Sequence, residues 1–246
     1  MRRVEHIMGM PIELDVRDEA VDPALLEAVF ASLRDADAVF STYRPDSDIS
    51  RLDAGELPLG ACRPEVDEVL TRCADLRERT GGYFSVRATG TLDPSGYVKG
   101  WAVARAAGLL DAAGVANFCL NAGGDLVLRG RPGPHDPWRI GIQHPLQRDA
   151  LAAVLAGEDV AIATSGQYER GPHVIDPLAG APPRGLLSVT IVGPDLALAD
   201  AYATAVFAMG ESGPAFAAEL DGYEAMCITE QQTVLTTPGL DRYRVT

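Results

Sequence analysis

The chain has 246 residues, 47% of them apolar and 23% charged, the balance of an ordinary globular protein long enough to bury a sizeable core. Its 35 acidic residues outnumber 21 basic ones, giving a formal net charge of -14, which argues against binding along a nucleic-acid backbone but not against a phosphate-bearing small molecule held through a metal ion. The four cysteines show no C-x-x-C spacing, against zinc or thioredoxin-type chemistry, and no apolar run reaches the length of a membrane span, against membrane insertion.

In chain order, residues 4–16 alternate as a first strand. Glu5 and His6 interrupt the opening as a signal peptide would not, and no lipid-attachment cysteine follows, so a cytoplasmic location is expected. Leu25, Leu26, Val29, Phe30 and Leu33 have a helical period, with Asp22 as N-cap and Pro23 at the first helical position. Residues 41–55 are polar and read as a loop. Residues 64–79 form a second amphipathic helix that stops at Thr80, Gly81 and Gly82. Residues 97–114 form a third helix, and 115–130 read as strand, glycine turn, strand. Further strands are expected at 138–145, in one or two pieces up to Thr164, Ser165 and Gly166, and at 186–193, before an apolar helix over 197–210. Residues 212–222 read as helical and the tail as a hairpin. Hairpins mixed with long helices, and no linker, predict one α+β domain over 1–246 with mostly antiparallel sheet.

The chain contains no G-x-G-x-x-G, Walker loop, G-x-S-x-G or H-E-x-x-H, which disfavours Rossmann, P-loop, α/β-hydrolase and zincin readings. The chemistry must come from less generic segments. Asp200 and Thr204 stand four apart on one helix face. A carboxylate beside a hydroxyl suits a hard cation such as Mg2+; an acid in the first turn serves equally well as a helix cap. Asp93, a Pro-Ser-Gly turn and Lys99 precede the third helix, where backbone amides and an ammonium suit an anionic ligand, or where the turn simply caps the helix. Gly123 and Gly124 permit close approach of a ligand or make a tight hairpin turn. Thr164, Ser165, Tyr168, His173 and Asp176 cluster in one Gly- and Pro-framed stretch, in which His173 is a candidate general base.

Nine segments in this order, among them MGMPIELDV, STYRPDSDISRLD, LDPSGYVKGWAV, NAGGDLVLRG, ATSGQYERGPHVIDPLAG and ADAYATAVFAMG, resemble the ApbE-type FAD:protein FMN transferase family over nearly the whole chain. The resemblance implies a T-fold-related, two-lobed α+β architecture. It implies Mg2+-dependent transfer of the FMN half of FAD to a Thr or Ser hydroxyl of an acceptor flavoprotein, with AMP leaving. On this chain it makes Asp200 and Thr204 side-chain ligands of Mg2+, with the Gly96 carbonyl completing the protein's share. It places Met8, Tyr43, Asp93, Lys99 and Ile175 against FAD, along with a strand carrying Tyr83, Phe84 and Ser85. It makes His173 the group that activates the acceptor hydroxyl, and Lys99 a fixed positive charge in catalysis.

The chain departs from the family's usual pattern at Ser85, where an acid is common, at Arg87, where a threonine is common, and at Ala203, where some members carry a second acid beside the metal-binding threonine. The segment between Ser85 and Asp93 is short, and the secretory leader of many members is not seen, which together suggest a shortened subclass. Two rival readings keep the pocket: a Mg2+-dependent FAD pyrophosphatase, with water as acceptor, and a flavin-binding protein without catalysis.

Overall fold

The computed structural model describes residues 1–166 and 174–245. The chain opens with a hairpin, β1 (Arg2–Ile7) and β2 (Met10–Val16), where one strand was expected. Met8 and Gly9 join the strands with φ of 54° and 73°. Two consecutive left-handed residues match the twist of a two-residue hairpin, and a Met-Gly pair does not advertise it as Asn-Gly would. Helix α1 (Pro23–Phe40) follows, its start fixed by Asp22, whose carboxylate accepts from the Ala24 N–H at 2.8 Å.

The stretch 41–55, expected as loop, contains a short helix, α2 (Asp48–Asp53), capped by Ser47, whose Oγ accepts from Ser50 N–H at 3.1 Å. Only Ile49 of α2 is buried, so the segment has no apolar stripe to betray it. Helix α3 (Pro64–Arg79) lies where its period predicts, and α4 (Ser95–Ala112) begins and ends two residues before the expected 97–114. Then come β3 (Phe118–Ala122), β4 (Asp125–Arg129), β5 (Trp138–His144), β6 (Gln147–Gly157), β7 (Val160–Gly166) and β8 (Leu186–Gly193). Helix α5 (Leu196–Ala208) is followed by a much shorter α6 (Gly213–Ala217) than residues 212–222 suggested. The tail is the expected hairpin, β9 (Glu224–Thr229) with β10 (Val234–Thr236), and a final 3-10 turn.

The strands build an eight-stranded sheet, ordered β1-β2-β3-β4-β7-β8-β9-β10 with every pair antiparallel, and a separate β5–β6 hairpin. Alternation along the central strands gives that sheet two apolar faces. Val127, Ala161, Val189, Ile191 and Cys227 point into a large core shared with the helices. Leu126, Leu128, Ile162, Val192 and Met226 point into a smaller one shared with Trp138, Ile142, Leu155 and Leu240. Within the large core α4 packs on α5 and α1, while α5 lies on β7 and β8. Helix α5 is thus enclosed on nearly every side, which is why it is apolar all round. No helix among the described residues is long and apolar enough to cross a membrane.

Candidate functional site

The crossing of α4 and α5 sets the geometry. A Cβ on Gly100 would lie 2.5 Å from the Leu196 carbonyl oxygen and 2.9 Å from the Asp200 Cβ, so the helices meet closely because this residue is glycine. Asp200 is 2% exposed, and the cap of α5 is a different acid: Asp195, which accepts from Leu198 N–H at 2.8 Å. Position within the first turn therefore does not account for Asp200. Its Oδ2 accepts from Gly100 N–H at 3.0 Å across the helix crossing, and its Oδ1 lies 3.6 Å from the Lys99 ammonium. Burial raises its pKa to about 7; Lys99 opposes that rise, Asp125 adds to it, and the Gly100 N–H opposes it.

Lys99 is shared. Its Nζ is 2.7 Å from Oδ2 of Asp125, which is 1% exposed at the start of β4. The other oxygen of Asp125 accepts from Thr164 N–H at 3.1 Å, which ties the pair to β7. Asp125 and Gly100 were not singled out from the sequence. The signal for Asp125 was there: a carboxylate opening an apolar strand directly after Gly123 and Gly124 raises the same question as Asp200 does in its helix.

Thr204 lies one turn beyond Asp200, its Oγ1 3.5 Å from Ser165 Oγ. A Cβ on Gly96 would fall 3.2 Å from Thr204 Oγ1 and 3.4 Å from the ring of Phe84, so Gly96, Thr204 and Phe84 converge at the first turn of α4. The Asp200 carboxylate, the Thr204 hydroxyl and the Gly96 carbonyl are all oxygen donors, the type a hard cation prefers, and three such ligands would leave about half of an octahedral Mg2+ shell to water or phosphate. No group of three or more His, Cys, Asp or Glu side chains that could hold a metal occurs among the described residues.

The remaining expected residues are distributed differently. The Asp93 carboxylate accepts from Ser95 N–H at 3.0 Å and so shapes the turn into α4. Tyr83, Phe84 and Ser85 form no strand, contrary to expectation: Phe84 N–H donates to Thr80 Oγ1 at 2.9 Å and Ser85 Oγ accepts from Arg87 N–H at 3.2 Å, both local turn bonds. Arg87 pairs with Asp53 at 2.9 Å. A cavity of about 360 Å³ lined by Leu70, Cys73, Arg77, Val86 and Leu92 lies beside this segment and touches none of the expected donors. Met8 is half-buried at the β1–β2 turn, Tyr43 is 95% exposed, and Ile175 is half-buried. No hydrogen bond or ion pair among the described residues ties these three to Asp200 or Thr204. His173 and Tyr168 lie outside the described residues; the Asp176 carboxylate, next in the sequence cluster, accepts from the N–H groups of Leu178 and Ala179, at 2.8 and 3.2 Å, and holds a turn.

The comparisons with known proteins agree with this order of elements. A model of the ApbE family matches residues 8–89 and 85–227. A protein of Rhodobacter capsulatus named FAD:protein FMN transferase is 32% identical over 238 residues, 93% of this chain and 43% of that protein. One of the same name from Vibrio cholerae is 32% identical over 162 residues, 62% of this chain and 47% of its own. The chain thus spans less than half the length of these curated relatives. Among solved structures, the flavin transferase ApbE of Vibrio cholerae superposes with a TM-score of 0.84 at 23% identity, over 99% of this chain and 98% of the other. The ApbE protein of Thermotoga maritima superposes with 0.86 at 20%, over 100% and 99%. With the family model matched over most of its length and the same fold in solved relatives, this chain belongs to the ApbE family.

Proposed function

We propose that this chain transfers the FMN half of FAD to a Thr or Ser hydroxyl of an acceptor flavoprotein and releases AMP. The names of its relatives support the reaction. The observation that supports it on this chain is that Gly96 lies against Thr204 and Gly100 against Asp200 where α4 crosses α5, so the residues proposed to supply oxygen ligands to Mg2+ sit on two helices in contact. Bound there, Mg2+ supplies charge neutralisation at the FAD pyrophosphate and at the leaving AMP. The buried helix pair holds the Asp200 and Thr204 oxygens rigid, so little reorganisation is needed when the substrate arrives. Lys99 sets the local field next to Asp200, and His173 takes the proton from the attacking hydroxyl.

The test is co-expression with a candidate acceptor flavoprotein, followed by intact-mass measurement of that partner and assay of AMP release from FAD with Mg2+. A mass gain of one FMN on a Thr or Ser is expected, with AMP release that depends on the acceptor and is lost in Asp200→Ala. AMP released equally fast without acceptor would replace transfer by hydrolysis. Retained flavin with no AMP under either condition would leave only a flavin-binding protein.

A further inference from the structure

Two buried carboxylates here share one ammonium, and they share it unequally. Lys99 Nζ sits 2.7 Å from Asp125 and 3.6 Å from Asp200. The closer partner is the one with no place in the donor set of Asp200, Thr204 and Gly96. Asp125 is itself fixed, since its second oxygen accepts from Thr164 N–H in the neighbouring strand and its side chain is 1% exposed. The arrangement is therefore a rigid strand-borne anchor that draws a flexible lysine to one side. Without that anchor, the carboxylate still in reach of Lys99, among the described residues, is Asp200, less than 4 Å away. A closed Lys99–Asp200 pair would occupy the oxygens a divalent cation needs, and a buried pair of that kind resists opening because parting it strands two desolvated charges.

We infer that Asp125 is a positioning residue: it holds the Lys99 ammonium off Asp200 and so keeps that carboxylate open to a divalent cation. This rests on the proposed role of Asp200 as a metal ligand, and it goes beyond that role by giving Asp125 a task that operates entirely through Lys99. It also accounts for an otherwise costly feature, an acid buried at the head of an apolar strand.

The test measures Mg2+ binding to the full chain by titration calorimetry without FAD, so that turnover is not the readout. Asp125→Asn keeps the acceptor for Thr164 N–H and removes the charge. It should weaken Mg2+ binding by about tenfold or more, the size of coupling expected between contacting charged groups. Lys99→Met should bind Mg2+ at least as tightly as the unmodified chain, and the double variant should recover the affinity that Asp125→Asn alone loses. Circular dichroism of each variant separates loss of binding from loss of fold, and the Lys99→Met result stands without Asp125→Asn. Unchanged affinity in Asp125→Asn overturns the inference. Equal weakening in the single and double variants also overturns it, because Asp125 would then act on the ion by its own charge. Failure of the unmodified chain to bind Mg2+ would instead remove the metal reading itself, and this inference with it.

Discussion

Two glycines in the same helix show how much a single methyl group decides here. Gly100 faces the Leu196 carbonyl at the tightest point of the α4–α5 crossing, whereas a Cβ on Gly108 would meet nothing within 4 Å. Replacing glycine by alanine inside a helix contributes up to about 1 kcal/mol from backbone entropy alone. At Gly108 that gain is unopposed, so Gly108→Ala should raise the unfolding free energy by a few tenths to about 1 kcal/mol. At Gly100 the added carbon would meet backbone at 2.5 Å, which a rotamer change cannot relieve. Gly100→Ala should therefore lose about 1–3 kcal/mol, since α4 and α5 must separate. Separation would also lengthen the Gly100 N–H bond to Asp200, leaving that carboxylate less satisfied. Urea denaturation of the two variants side by side checks both signs.

At the scale of elements, the sequence was most legible where a helix has one wet face. Helix α1 shows it: Val29, Phe30, Leu33, Ala36 and Phe40 are buried at helical spacing, and Asp22 with Pro23 marks the start. The cap bond from Ala24 N–H to the Asp22 carboxylate is a local interaction, so Asp22→Ala should cost about 1 kcal/mol in thermal or chemical unfolding. A cost near zero would mean water caps the helix as well as the carboxylate does. Legibility fell where an element was too short or too polar to carry a period. Helix α2 hides in a polar stretch, the 83–85 segment resembles a family strand although its bonds are local turns, and the Met8–Gly9 turn splits an alternating run that reads as one strand. Asp200 and Thr204 could be paired on one face from spacing alone, and Gly96 joined them only through the family resemblance. Asp125 carries a local signal as an acid opening an apolar strand, but its partners, Lys99 and Thr164, are 26 and 39 residues away in sequence, and no local pattern encodes such contacts.

For the molecule as a whole, the cluster is a point where distant parts of the chain meet. It draws on α4 at Gly96, Lys99 and Gly100, on β4 at Asp125, on β7 at Thr164 and Ser165, and on α5 at Asp200 and Thr204. None of these contacts survives unless the sheet order and the helix layer form together, so protonation of Asp200, and the metal binding proposed for it, are linked to global folding. The sign follows from the raised pKa of Asp200 in the fold, about 7. As pH rises from about 4, the unfolded chain releases the Asp200 proton first, so stability falls until the folded carboxyl has also ionised near pH 7. Below that window both states hold the proton and the penalty is absent. Asp200→Asn, which keeps an acceptor for Gly100 N–H, should lack this component. The stability of the unmodified chain minus that of the variant should therefore decline across the window, by a few kcal/mol at most. On the proposed assignment of Asp200 as a ligand, Mg2+ should work against the decline, because it would bind the ionised, folded form. At a hundredfold excess over its Kd it would add about 2.7 kcal/mol, with the increment growing as pH approaches 7. Thermal unfolding of both proteins at several pH values, with and without Mg2+, separates the two effects. The same Mg2+ increment in Asp200→Asn would place the ion elsewhere, whereas an increment confined to the unmodified chain and rising with pH ties it to this carboxylate.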